Sequence, residues 1–364
     1  MSAAPRPEGA RRARLLAALQ TRGLDALVVT DLANVRYLTG YVGSNGIAVL
    51  GREAGVLLTD SRYAVSAREQ VSGLEVVVGS RDLLGDVAAR APEVAGGGRI
   101  GVEAEDLTIA RHDRLVERMG GIVVEPTRGV VEDLRILKEA GEVDAMRRAA
   151  GVVDRALEQV LRGGIVGRSE RDVAFALYGA MLAEGAEEPS FATIVGAGPN
   201  GARPHSVPGR DLIPAETLVI IDLGAVVGGY CSDMTRTVAT GPLPPRLEEI
   251  YRVCLDAQEA AVAAARGGLA AAELDAVARS RIAEAGYGEQ FGHGLGHGVG
   301  LRIHERPGVR PEGTETLAAG MAVTIEPGIY LEGEAGVRIE DLVVLSEDGC
   351  EVLSRSPKDL RIVE

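Results

Sequence analysis

Cysteine is scarce in this chain, tryptophan is absent, and only three phenylalanines occur among 364 residues. Cys231, Cys254 and Cys350 are odd in number, widely spaced and lack a CxxC pair. They offer neither a disulfide framework nor a thiolate zinc site, and they suit a reducing compartment. Positive charge is short as well: 39 Lys and Arg face 53 Asp and Glu, leaving a net charge of -14. A nucleic acid needs a basic patch and an anionic membrane a basic face, so neither is expected as a partner. No apolar run reaches the about 18 residues of a membrane-spanning helix. The N-terminal "MSAAPRPEGARRARLLAALQTRG" is Arg-rich, but its "LLAAL" is too short for the apolar core of a signal peptide. A cytoplasmic protein is expected.

What is present is apolar mass, 46% of the residues, in a chain long enough for two domains. The first third alternates. "EGARRARLLAALQTRG" has helical periodicity and "LDALVVT" reads as a buried strand. "GIAVL", "GVLLTD", "LEVVVG", "RIGVEAE" and "GIVVEPT" are further short strands, with helical patterns at 61–71, 82–94 and 108–119 between them. An α/β domain over residues 1–130 is expected, followed by a second domain over 131–364. The charged segment 132–142 marks the boundary and the start of a linker helix.

Beyond it, apolar residues recur at helical spacing from Val143 to Leu161, and Gly163-Gly164 is a stop signal. Ser169 caps a second helix, with Asp172 in its first turn. "FATIVGAG" and "TLVIIDLGAVVGGYCSDMTRTVATG" then read as strands, followed by Ala-rich helices near 245–266 and 271–285. "MAVTIEPGIYL", "GVRIEDLVVLSEDG" and "CEVLS" close the chain as strands. The order helix, helix, hairpin therefore occurs twice, with hairpins at 217–240 and 321–345. An α+β fold with internal pseudo-two-fold layout is expected, without a sequence repeat.

The chemistry lies in acids placed where a core should be. Asp222 interrupts "LVIIDLG", Glu326 sits in "MAVTIEPG", Glu340 in "GVRIEDLVVL", and Asp233 follows "GGYCS". Burying a carboxylate costs several kcal/mol unless it is paired or binds metal. A single strand acid would ordinarily face solvent. Asp222, however, has apolar neighbours on both sides, and each hairpin carries one acid on each limb. Antiparallel pairing can bring each pair side by side. Adjacent carboxylates repel unless a cation lies between them. Four carboxylates with one imidazole suit Mn²⁺, Co²⁺, Fe²⁺ or Zn²⁺, and their charge calls for two ions per chain.

Three of the five histidines fall within "FGHGLGHGVGLRIHERPG". His293 and His297 have the spacing of a zinc helix, but glycines at 292, 294, 296, 298 and 300 exclude a helix, each costing about 1 kcal/mol relative to Ala. An extended segment is expected, its glycines letting other backbone approach. There His293 and His297 share a face, and His304 faces away unless the chain bends. One of the cluster is the expected ligand, the others serving substrate. His205, in the loop "GAGPNGARPHSVPG", carries little signal by itself. His112 reads as a surface helix position without a role.

Taken together, D222LG…YCSD233, GHGLGH297GVGLRIH304E, TIE326PG and VRIE340D resemble the pita-bread metallopeptidases, in their Xaa-Pro dipeptidase and aminopeptidase P branch. "NVRYLTGYVGSNG", "LLTDSRY" and "RILKEAGEVDAMRRA" extend the likeness over nearly the whole chain, which is most similar to short actinobacterial cytoplasmic dipeptidases. The resemblance implies a pita-bread catalytic domain behind a creatinase-like N-terminal domain. It implies Asp222, Asp233, His297, Glu326 and Glu340 as ligands of two divalent ions, manganese foremost, with Asp233 and Glu340 bridging. A hydroxide bridging the ions would attack the scissile carbonyl, with Glu326 as general base. His205 and His304 would contact substrate and its tetrahedral intermediate, and His293 would line the proline pocket. Arg338 would hold the ligand carboxylates in place.

The implied reaction is hydrolysis of an Xaa-Pro bond in dipeptides or short peptides, by a homodimer. A methionine aminopeptidase is the first alternative, disfavoured by an N-terminal domain of this size. A metal-free creatine hydrolase and a non-catalytic binding protein are disfavoured by the intact ligand set.

Overall fold

The computed structural model describes residues 7–363; residues 1–6 and 364, the outer ends of the two expected domains, lie outside them. Two compact units divide the chain between Arg135 and Ile136, a point inside the charged segment 132–142.

The N-terminal unit is a six-stranded mixed sheet, in the order 75–78, 55–59, 46–51, 26–29, 100–103, 124–127. Its central strand Ala26–Val29 is fully buried, as its unbroken apolar run requires. Helices Glu8–Thr21, Leu83–Val94 and Ile109–Arg118 occupy the segments with helical periodicity. One further helix, Leu32–Thr39, was not foreseen. Its signals were local: Asp31 caps it, accepting from Ala33 N and Asn34 N, and Gly40 ends it in the left-handed conformation. His112 is half-buried in its helix, with Nδ1 3.3 Å from Asp113.

In the C-terminal unit, helices Ala140–Arg162 and Glu170–Ala183 share one hydrophobic core with strands Ile194–Ala197, Leu218–Leu223 and Met234–Ala239. Helices Pro245–Ala264 and Ala271–Glu284 share another with the strands of the 321–345 hairpin. Capping is as the sequence indicates at Ser169, whose Oγ accepts from Asp172 N over 3.1 Å. The helix–helix–hairpin layout therefore occurs twice.

Neither hairpin is continuous. The first runs as Leu218–Leu223 against Met234–Ala239, then changes sheet beyond Gly224 to pair Ala225–Val227 with Tyr230–Cys231. The second runs as Ala322–Ile325 against Asp341–Leu345, then changes sheet beyond Pro327 to pair Gly328–Leu331 with Ala335–Arg338. The breaks fall at Gly224, Ser232 and Asp233 in one hairpin and at Glu326, Pro327, Ile339 and Glu340 in the other. Where a ladder breaks, side chains from both limbs can turn toward a common point. At Gly224 the break needs glycine, because a Cβ would lie 2.2 Å from the Ser232 carbonyl oxygen.

Candidate metal centre and active site

The breaks put the acids together. Asp222, Asp233 and Glu340 are buried and offer carboxylate oxygens that all lie within 4.8 Å of one another. His297 Nε2 stands 3.5 Å from Asp233 Oδ2 and 3.3 Å from Glu326 Oε1, which brings the fourth acid and the imidazole to the same place. All nine residues singled out from the sequence line a single cavity of about 510 Å³: these five, His205, His293 and His304 on its walls, and Arg338.

The glycine-rich segment is extended where it matters. Gly296–Gly298 is a short strand between Glu305–Val309 and Ala322–Ile325. A Cβ on Gly296 would sit 2.0 Å from the Thr324 carbonyl oxygen, and one on Gly298 2.2 Å from that of Arg306. The close approach of both neighbours explains the alternating glycines. Between His297 and His304 the chain turns back on itself, so His304 does not face away: its ring packs edge-on against His297, centroids 4.4 Å apart.

The hydrogen bonds fix tautomers. His297 Nδ1 faces the Gly298 carbonyl at 3.1 Å and so carries the proton. Nε2 is left with a lone pair, pointing at the Asp233 and Glu326 carboxyl groups, so that either a proton or a cation must lie between them. Burial holds the imidazole below its ordinary pKa, opposed by the Gly298 bond and the charge of Asp222. Such an arrangement of acceptors is stable with a cation among them. The carboxylates agree: Asp222 Oδ1 and Glu340 Oε1 are buried without a partner among the described residues. Burial pushes the Asp233 carboxyl well up, reinforced by Glu340, Asp222 and Glu326. Glu340 is raised by burial and by Glu326 and Asp222, and Glu326 is pushed up to about 7, mainly by burial. The donor set, hard oxygens with one nitrogen, fits a divalent metal.

Neutral and cationic side chains hold these acids in place. Thr235 Oγ1 donates to Glu340 Oε2 over 2.8 Å, and Thr324 Oγ1 to Glu326 Oε1 over 3.1 Å. Arg338, 4% exposed, donates to Asp222 Oδ2 (2.8 Å), Thr235 Oγ1 (3.0 Å), Tyr330 Oη (2.8 Å) and the Pro204 carbonyl (3.2 Å). Tyr330, its hydroxyl pushed up to about 12 by burial, passes its own proton toward His293 Nε2 at 3.0 Å. His293 Nδ1 faces the Gly294 carbonyl at 2.8 Å, and burial pushes its pKa down to about 4. Both nitrogens of His293 are therefore engaged by protein, and it offers the cavity the surface of a neutral ring. His304 also lines the cavity, its pKa lowered by burial and by His297.

Sequence reasoning missed several supports of this site. Thr235, Thr324 and Tyr330 read as ordinary strand residues. Glu305, beside His304, accepts from Arg302 N over 2.9 Å and from Lys138 Nζ over 3.3 Å, with the lysine side chain 1% exposed. The acid adjacent to a site histidine was the signal available. Phe191, Ile194 and Ile303 supply apolar wall, and nothing in the sequence marked them.

A cluster of buried carboxylates with one imidazole, on a twice-repeated helix–hairpin frame, defines a metal-dependent hydrolase of pita-bread architecture. The sequence matches metallopeptidase family M24 over residues 144–347 and the creatinase/prolidase N-terminal domain over residues 11–137. The chain belongs to the M24 metallopeptidases. It is 35% identical over 353 residues to the Xaa-Pro dipeptidase of Pyrococcus furiosus, covering 96% of this chain and 99% of that one. The solved Xaa-Pro dipeptidase from Bacillus anthracis is 38% identical, with a TM-score of 0.95 over 98% of this chain and 100% of that one. The X-Pro aminopeptidase from Thermotoga maritima is 33% identical, with a TM-score of 0.90 over 97% and 100%. No described helix is long and apolar enough to cross a membrane.

Proposed function

We propose that this metallopeptidase hydrolyses the Xaa-Pro bond of dipeptides or short peptides with two divalent ions, manganese foremost. The observation that carries it is the buried trio Asp222, Asp233 and Glu340, in which Asp222 Oδ1 and Glu340 Oε1 have no partner among the described residues. With His297 and Glu326 these residues would hold the ions. Four carboxylates overcompensate a single divalent charge, and this supports a dinuclear centre. When bound, the ions supply Lewis acidity and a water ionised near neutral pH.

The chain's own residues do the rest. Glu326, its Oε1 3.3 Å from His297 Nε2 on the cavity wall, is placed to take a proton and return it to the leaving amine. His205 and His304 stand on the walls, where they can donate to a developing oxyanion. His293 presents an apolar ring surface, with Phe291 edge-on behind it at 5.1 Å, suited to a pyrrolidine ring. A bond to proline is a tertiary amide with fixed φ, which rewards a shaped pocket. The relatives named for Xaa-Pro substrates support the same specificity. The homodimer and the cytoplasmic location belong to this reading and are checked by sedimentation and fractionation.

The test is hydrolysis of Ala-Pro, Ala-Pro-Ala and Met-Ala-Ser with added Mn²⁺. The Pro substrates should turn over faster; preference for Met-Ala-Ser would overturn the specificity. Likeness to both a dipeptidase and an aminopeptidase leaves peptide length as the second comparison, read from Ala-Pro against Ala-Pro-Ala.

A further inference from the structure

His205 reaches the cavity from loop 198–209, "GPNGARPHSVPG", a sequence with little intrinsic shape. What closes this loop is a carboxylate outside the cavity. Glu170, 3% exposed, accepts from Ala197 N over 2.8 Å through Oε1. Its Oε2 accepts from Asn200 Nδ2 over 2.7 Å and from Gly209 N over 2.8 Å. Ala197 leads into the loop and Gly209 ends it, so one side chain clasps entry to exit.

Helix capping does not account for this. An acid in a first turn is stabilised by the helix dipole while remaining in water. Ser169 already caps this helix by accepting from Asp172 N. Glu170 instead gives up hydration, a costly step for a carboxylate, and spends its acceptors on donors 27, 30 and 39 residues away. The far end of the loop is fastened separately. The Pro204 carbonyl, next to His205, accepts from Arg338, the same guanidinium that bonds Asp222. Glu170 at the base of the loop and Arg338 beside His205 thus fasten it at two places.

We propose that Glu170 is a positioning residue for hydrolysis, acting through His205 although it touches neither substrate nor the cavity. The inference rests on the reading that His205 contacts substrate. Displacing a catalytic group by about 1 Å costs on the order of 10²-fold in rate. Glu170→Gln keeps the volume but turns an amide against backbone N–H donors, so the clasp opens.

The experiment is a double-mutant cycle on the metal-loaded, full-length enzyme, with Ala-Pro as substrate. Glu170→Gln is expected to lose roughly 10- to 10²-fold in kcat, with bound manganese unchanged. His205→Ala is expected to lose on the order of 10²-fold. The double variant should be no slower than His205→Ala alone, because a clasp has nothing left to position. Multiplicative losses would mean that Glu170 acts elsewhere, and would overturn the proposal. Full activity in His205→Ala would instead remove the role of His205 itself. Should Glu170→Gln fail to fold, Glu170→Asp, which shortens the clasp but keeps its charge, carries the same cycle.

Discussion

Arg338 Nη2 donates to Asp222 Oδ2 over 2.8 Å, while the other oxygen of that carboxylate is buried without a partner among the described residues. One oxygen is thereby fixed so that the other is aimed. The same guanidinium reaches Thr235, Tyr330 and Pro204. Substituting Arg338→Met should lower metal affinity or activity by roughly 10- to 100-fold. Arg338→Lys should recover little, since a single ammonium cannot serve a fork of partners spread over four elements. Manganese titration with parallel kcat measurements checks both, and wild-type behaviour of the lysine variant would refute the argument.

The repulsion among Asp233, Glu340, Asp222 and Glu326 predicts opposite stabilities with and without metal. Burial and mutual charge raise Asp233 and Glu340 well above ordinary carboxylates. In metal-free protein, Asp233→Asn should leave Tm unchanged or raise it. With manganese the order reverses, because ligand binding to the native state stabilises only the protein with an intact site. Asp233→Asn and Glu340→Gln should also abolish activity. Thermal scans with EDTA and with Mn²⁺ decide the matter; a lower Tm of Asp233→Asn in EDTA would show that the acids do not repel.

These acids were legible because a charge inside "LVIIDLG" or "MAVTIEPG" contradicts the apolar run around it. Their meeting point was less so. Asp222 pairs in register with Thr235, not Asp233, and only the change of sheet beyond Gly224 turns Asp233 inward. For His304 the sequence left two outcomes open, facing away or a bend, and the structure shows the bend that brings its ring against His297. The threonines that orient Glu326 and Glu340 have the composition of any strand. Glu170 carried no signal in the sequence, since its hydrogen-bond partners lie up to 39 residues away. Periodicity reports which face is buried, not which hydroxyl or carboxylate meets which donor.

In the N-terminal unit, Glu103 predicts a pH dependence. Its carboxylate is buried and accepts from Thr30 N (2.6 Å), Asp31 N (2.7 Å) and Asn34 Nδ2 (2.7 Å), yet burial outweighs these bonds and pushes it up to about 7. An acid whose folded pKa exceeds its unfolded value binds more protons when native. It adds nothing below about 4.5, and its cost grows as pH rises through about 7, reaching about 3 kcal/mol. The stability of Glu103→Gln relative to wild type should therefore rise between pH 4.5 and 8. Urea unfolding across that range measures it, and a flat difference would contradict the burial argument. His112→Ala, in the same unit, should leave peptidase activity unchanged.

The glycines before His297 are not equivalent. A Cβ on Gly292 meets nothing within 4 Å, whereas one on Gly296 meets the Thr324 carbonyl oxygen at 2.0 Å and Thr324 Oγ1 at 2.7 Å. That hydroxyl also accepts from His297 N over 3.0 Å and donates to Glu326. Gly296→Ala must push apart the two strands that carry the imidazole and the fourth acid. It should cost about 1–3 kcal/mol, as overpacking of a close contact does, and most of the activity. Gly292→Ala should stay within about 0.5 kcal/mol of wild type and keep full turnover. Equal effects of the two substitutions, read by chemical denaturation and Ala-Pro hydrolysis, would mean that the alternation serves chain flexibility and not the approach of backbone to backbone.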